Sequence, residues 1–220
     1  MEFLRQLELF NPGEFNTPVH IIGAGATGSW LTLFLTKIGV SDITVYDFDI
    51  IEEHNLPNQF FPLRAVGKYK VDALRREIQH QTGITIKTQN IEVTGDTPLE
   101  GIVYVLTDSM KSRSEIFKNA IKNNPAVQMM VETRMGLEHG RIYCIDPTNR
   151  TQVERYEATL YSDEDAEVSA CGASQSVAIT ATGIAQLAAW KLVKHHKEEP
   201  INNEILIDYT STMAITTEFK

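Results

Sequence analysis

Apolar positions in the first half of the chain fall into two alternating patterns. Short Val- and Ile-rich runs, "VHIIG" and "DITVYD", flank a segment of helical period, "TGSWLTLFLTKIG", that Gly39 closes. Unbroken apolar runs of this kind read as parallel strands covered by helices on both faces. Strand, helix and strand in that order predict a βαβ unit. An irregular stretch, "FDIIEEHNLPNQFFPLRAVGK", leads to helix "KVDALRREIQHQ", ended near Gly83. Strand "ITIKTQNIEV", strand "GIVYVLTD", helix "SMKSRSEIFKNAIKNN" and strand "AVQMMVET" continue the alternation.

After Gly136 the pattern changes. "LEHGRIYCIDP" and "TQVERYEATL" alternate like antiparallel strands joined by short turns. The acidic stretch "YSDEDAEVSACGAS" separates them from a long helix at roughly 174–196, and "NEILIDY" and "TMAITTEF" end the chain as two strands. The fold class expected is α/β: a Rossmann-like mixed sheet with helices on both faces, parallel in its N-terminal half and antiparallel in its C-terminal strands. No repeat, low-complexity segment or linker interrupts it, and 220 residues suit one domain, 1–220.

A formal charge of −9 argues against a general nucleic-acid binder, which carries a basic surplus for backbone phosphates. Cys144 and Cys171 are the two cysteines, with no C-x-x-C pair, so neither a disulfide framework nor a zinc site is expected. That usage suits a reducing cytoplasm. "MEFLRQLELF" lacks the apolar core of a signal peptide. Gln175 and Gln186 interrupt "SQSVAITATGIAQLAAW", which reads as a buried helix rather than a membrane span. A cytoplasmic location with no nucleic-acid or membrane partner is the expectation.

Candidate chemistry gathers around "GAGATG", where Gly23, Gly25 and Gly28 follow the first strand and open the first helix. Free N–H groups and the dipole at such a helix start favour phosphate, whichever nucleotide carries it. Asp47, about 20 residues on and at the end of the second strand, suits the hydroxyls of a ribose. Lys70 opens the next helix, where a cation opposes the dipole unless an anion is near. It reads either as a solvated lysine or as a phosphate ligand. Asp108 closes "GIVYVLTD" on the rim that carries the glycine loop. Followed by Ser109, it reads equally well as a helix cap or as a magnesium ligand. Ribose acid, phosphate lysine and metal acid together describe displacement at phosphorus in a nucleoside triphosphate. Hydride transfer needs neither Lys70 nor Asp108.

The ordered set "GAGATG", "YDFD", "HNLPNQ", "GKYKVDAL" and "LTDSMKSR" resembles the ThiF/MoeB/HesA family of ubiquitin-activating-enzyme-like adenylyltransferases. The N-terminal "RQLELF" and the late "ACGASQSVAITATGIAQLAAWKLV" extend the likeness over nearly the whole chain. The resemblance implies ATP- and Mg²⁺-dependent adenylation of a C-terminal carboxylate. The carboxylate belongs to a ubiquitin-like protein, a sulfur carrier or a peptide. It also implies residue roles: Gly23, Gly25 and Gly28 for the nucleotide, Asp47 for ribose, Asp49 and Asn55 beside the nucleotide, Lys70 for phosphates, and Asp108 for Mg²⁺. Arg5 corresponds to an arginine that reaches the phosphates of the other subunit, which implies a homodimer.

Two positions set the chain apart. Asn58 stands where family members commonly place a phosphate-binding arginine, and Arg64 is a candidate to replace it. Cys171 falls where some members carry a cysteine that joins the carrier covalently or transfers sulfur; a buried structural cysteine is the other reading. Cys144 reads as packing, His20 as a satisfied residue of the first strand, His54 as a surface residue, and His195 and His196 as helix-end charge. Arg134 and Arg141 flank "MGLEHG" as candidate guides for an acidic tail. The competing functions are a degenerate module that holds nucleotide or a protein tail without turnover, and a Rossmann NAD-dependent oxidoreductase.

Overall fold

The computed structural model describes residues 1–162 and 176–220. Eight strands form one sheet in the order β3-β2-β1-β4-β5-β6-β7-β8. They are β1 (Val19–Ile22), β2 (Ile43–Tyr46), β3 (Lys87–Gln89), β4 (Gly101–Val105), β5 (Val127–Met135), β6 (His139–Ile145), β7 (Glu204–Asp208) and β8 (Met213–Thr217). Pairings from β3 through β5 are parallel, and those from β5 through β8 antiparallel. The expected mixed sheet is present.

Helices α1 (Ala26–Lys37), α2 (Lys70–Thr82) and α5 (Ala178–His196) pack on one face, against Ile21, Val45, Ile102, Tyr104 and Val131. Helices α3 (Met110–Ile116, continued by a π turn over Phe117–Ile121) and α4 (Arg150–Glu157) cover the other, against Val103, Val105, Met130 and Tyr143. Strands between two helical layers must be apolar on both sides, and β4 is buried at all five positions. Gly83 ends α2 in the left-handed region at φ 75°, where a β-carbon is disfavoured.

Three expectations need correction. "TQVERYEATL" contains helix α4, not a strand. The Asn149 side chain caps its start by accepting from the Gln152 N–H, and Val153 and Tyr156, three apart, bury one helical stripe. Strand alternation would have put Val153 on a face with Arg155 and Glu157. "ITIKTQNIEV" keeps only Lys87–Gln89 as strand, with Lys87 and Gln89 exposed at a sheet edge. The long helix is described from Ala178, while residues 174–175 lie outside the described residues.

The strand order reverses between β1 and β4, so the chain leaves β1 toward one side of the sheet and β4 toward the other. A crevice opens at the carboxyl ends of strands at such a reversal.

Candidate nucleotide site

At that crevice the three glycines do three different jobs. Gly23 turns the chain at φ 101°, donates its N–H to Tyr46 O at 2.8 Å, and a β-carbon there would lie 2.7 Å from Leu106 O. A β-carbon on Gly28 would lie 1.9 Å from Gly23 O, so this glycine lets α1 close on its own loop. At Gly25 an added β-carbon meets nothing within 4 Å. Gly25 is also the N-cap of α1 without a side-chain cap, and the first turn carries no acid. The open side of the loop thus faces uncapped N–H groups, an anion site by geometry.

Asp47 extends from β2 against this loop. Its Oδ2 accepts the Ala24 N–H at 2.7 Å and its Oδ1 the Asp49 N–H at 2.8 Å. Each oxygen retains a second lone pair for a hydroxyl donor. Burial pushes the carboxyl above its usual range, while Lys70 and the two backbone donors oppose that rise. Protonation removes acceptor capacity. Ribonucleotide affinity is therefore expected to fall on acidification at a pH above that of an ordinary aspartate, as calorimetric titration from pH 7 downward would measure; affinity flat to pH 4 would contradict the assignment.

Lys70 is not a solvated lysine. It is 7% exposed, and its Nζ holds Asp49 Oδ2 at 2.7 Å, the Asp49 carboxylate being half exposed. Its N–H donates to Asp49 O at 2.9 Å, and Ile50 bridges Tyr69, so this crossing is tied to the end of β2. The Asn55 side chain accepts the Glu52 N–H at 2.9 Å and shapes the turn.

The loop beyond it docks on the first turn of α1. Trp30 Nε1 donates to Asn58 O at 3.0 Å, and the Phe60 N–H to Ser29 Oγ at 2.9 Å. Asn58 Nδ2 donates to Ser176 Oγ. Among the described residues, Asn58 Oδ1, Gln59 Oε1 and Thr107 Oγ1 are buried without a partner. Leaving such an atom unpaired costs about 1–3 kcal/mol. Thr107 adjoins Gly23, and the Asn58 backbone is held by Trp30 of α1.

Asp108 is exposed on the opposite wall, and Ser109 rather than Asp108 caps α3, accepting the Ser112 N–H at 3.1 Å. Among the described residues no three His, Cys, Asp or Glu side chains form a metal cluster. A single carboxylate suits Mg²⁺, which takes its other ligands from phosphate and water.

Arg5 lies elsewhere. Gln6 donates to Ile38 O at 2.6 Å and Phe3 packs near Gly39, which places the N-terminal turns at the far end of α1. Twelve helical residues, about 18 Å, separate that end from the glycine loop. Arg64, largely exposed, pairs with Glu77 at 2.7 Å, two turns along α2 from Lys70. Cys171 lies outside the described residues. Cys144 is packing, its thiol pushed up to about 12 by burial.

His20 is buried and shares a hydrogen with Tyr46 at 2.9 Å, and His54 is exposed beside Glu52. His195 lies beside Gln128, and His196 packs edge-on against Phe10 and Phe15. Arg141 pairs with Glu204 on the neighbouring strand, and Arg134 with buried Glu132, so neither is an open guide. Sequence reasoning passed over Arg113 and Glu132. Both stand at positions that the local pattern buries, and a charge there was the available signal.

A glycine loop at the switch point of a mixed α/β sheet, with an acid at the end of the next strand, defines a Rossmann-like fold. The ThiF family model matches residues 14–219, and the chain belongs to the ThiF family. It is 31% identical to a ubiquitin-like modifier-activating enzyme 5 of Bombyx mori over 34% of this chain and 20% of that protein. It is 31% identical to the adenylyltransferase and sulfurtransferase MOCS3 of Aedes aegypti over 43% of this chain and 23% of that protein. The aligned part is thus about a fifth to a quarter of these relatives. Among solved structures, E. coli MccB with MccA superposes at a TM-score of 0.74 and 18% identity, covering 94% of this chain and 65% of that one. E. coli MccB with ATP gives 0.70 at 18% identity over the same shares. These likenesses establish the fold.

Proposed function

We propose that this chain, acting as a single adenylation domain over 1–220, joins a C-terminal carboxylate to the AMP of ATP and releases pyrophosphate. The observation that carries the reading is the uncapped start of α1 behind the glycine loop, beside Asp47 and beside buried atoms of Asn58, Gln59 and Thr107 that have no partner among the described residues. Lys70 and Asp108 on the same rim add the cation and the acid that phosphoryl chemistry requires. Uncapped N–H groups of α1 hold phosphate oxygens, Asp47 holds the ribose, and Lys70 leaves Asp49 for the phosphates. Mg²⁺ at Asp108 would offset the charge that builds on the phosphoryl oxygens. Positioning and electrostatics do most of the work in such displacements.

The substrate is a ubiquitin-like protein, a sulfur carrier or a peptide. Support comes from the relatives named as modifier-activating enzymes and sulfurtransferases and from MccB crystallised with MccA. The place of action is the cytoplasm, in keeping with a described chain in which no helix is long and apolar enough to cross a membrane. The test is ATP–pyrophosphate exchange driven by carrier proteins and peptides with a free C-terminus. Exchange that needs the carboxylate supports the reading, and protein that ignores ATP removes it.

A homodimer completes the site. Arg5 cannot reach its own glycine loop across about 18 Å of α1, so its role falls to the partner's nucleotide. Arg5→Ala and Asp108→Ala proteins, each strongly impaired alone, are expected to regain up to about a quarter of wild-type exchange when mixed, since half of the dimers are then mixed and each of those holds one intact site of its two. No recovery after subunit exchange would place each site within one chain.

One observation favours a second reading. Asn58 carries no charge, and Arg64 faces Glu77 on α2, so position 58 brings no cation to the phosphates. A module that binds nucleotide without turnover would show tight Mg-ATP binding and no exchange with any carboxylate.

A further inference from the structure

Beneath the rim two arginines share one carboxylate. Glu132 is fully buried on β5, in register with Val105 at the end of β4. Arg113, 8% exposed on α3, donates Nη1 to Glu132 Oε1 and Thr133 O, and Nη2 to Thr107 O. Arg134 donates Nε to both Glu132 oxygens at 3.2 and 3.0 Å, and its remaining nitrogens to Thr159 O at 2.7 Å and Thr159 Oγ1 at 3.0 Å. Its guanidinium also lies 4.5 Å from the centre of the Tyr143 ring.

Stability alone does not explain the cluster. Apolar side chains of similar volume often replace buried ionic triads at no loss, because desolvation offsets the attraction. What apolar side chains cannot do is hold the Thr107 carbonyl. That oxygen and the N–H of Asp108 belong to one planar peptide unit. Fixing the oxygen fixes the plane and the N–Cα bond of Asp108, and Ser109, capping α3, holds the chain on its far side. Arg113 is rigid enough for this because its planar fork is seated on Glu132 and Thr133 at once.

We propose that Arg113, seated by Glu132, is a positioning residue that sets the 107–108 peptide so that the Asp108 carboxylate faces a nucleotide-bound metal. The inference rests on the nucleotide reading above. Arg134 grips the same carboxylate from the other side without touching Thr107, which makes it the internal control.

The test is a Mg²⁺ titration of ATP-dependent thermal stabilisation on wild type, Arg113→Lys and Arg134→Lys. Lysine keeps the charge but cannot bridge Glu132, Thr133 and Thr107 together. Expected are equal stabilisation of all three by ATP in EDTA, and at least a tenfold higher Mg²⁺ midpoint for Arg113→Lys alone. Arg134→Lys lowers the melting temperature of the free protein and leaves the midpoint in place. An unchanged midpoint in Arg113→Lys, or an equal rise in both variants, overturns the proposal and leaves the cluster a structural one. Should Arg113→Lys not fold, Glu132→Gln replaces it, and an unchanged midpoint there overturns the proposal equally. A wild-type protein that ATP stabilises with no effect of Mg²⁺ removes the metal reading itself, an outcome separate from any difference between variants.

Discussion

Asp108→Ala is expected to slow carboxylate-dependent ATP–pyrophosphate exchange by about 100- to 1000-fold, the loss of roughly 2.7–4 kcal/mol typical when one preorganised electrostatic partner of a transition state is removed. Fold stability should hardly change. Asp108 is exposed, and Ser109 supplies the cap that α3 needs, so the alanine breaks no described contact of the free protein. Exchange measured over a Mg²⁺ series, together with the melting temperature of the free protein, separates the two effects. A variant as active as wild type would deny Asp108 any part in the reaction, and one that melts far lower would assign it to the scaffold.

The second large effect is expected from paired glycine substitutions. In Gly28→Ala the new β-carbon would sit 1.9 Å from a backbone oxygen of Gly23, which no rotamer change relieves. Overpacking costs typically about 1–3 kcal/mol and occasionally more; the loop or α1 must shift here, so the upper end or beyond is expected. Gly25→Ala meets open space, and only its ψ of −147° departs from the usual ranges of residues with a β-carbon, so the loss of stability should be much smaller than for Gly28→Ala. Its methyl group would nonetheless occupy the face assigned to phosphate, and ATP affinity should fall at least tenfold. Urea unfolding and ATP titration on both variants check the contrast. Equal destabilisation by the two, or undiminished ATP binding by Gly25→Ala, would mean that the loop serves packing alone.

Most of the parallel half of the fold was legible because each element announces itself twice. Apolar runs such as "GIVYV" mark strands buried on both faces, and Gly39 and Gly83 mark where helices stop. Helix α4 was misread because Val153 and Tyr156 are β-formers by type, and the decisive signal was the Asn149 cap and their spacing of three. Strand β3 is short because it lies at an edge, where Lys87 pairs outward with Asp42 and no second layer asks for apolar residues.

The site divided along similar lines. Gly23 and Gly28 carry their close approaches, and Asp47 its place against the loop, in local spacing, so the sequence locates them. Lys70 required the bridge between Ile50 and Tyr69 to bring it beside Asp49, and Arg5 required knowing which end of α1 the N-terminal turns approach. Those are long-range facts. The Arg113–Glu132–Arg134 cluster left a fainter trace: a cation on the buried stripe of Met110 and Ile116, and an acid inside the apolar run "VQMMVETRM". Charges at buried positions imply partners, though a single chain does not say which ones.

All of these roles depend on the glycine loop holding ATP rather than a dinucleotide. The most direct test is the thermal stabilisation of the wild-type protein by Mg-ATP and, separately, by NAD. A ligand at 100 times its dissociation constant adds about 2.7 kcal/mol, which moves the midpoint of a domain this size by roughly 5–10 °C. The account predicts such a shift with Mg-ATP and none with NAD. A shift with NAD alone would contradict it and assign the loop to redox chemistry.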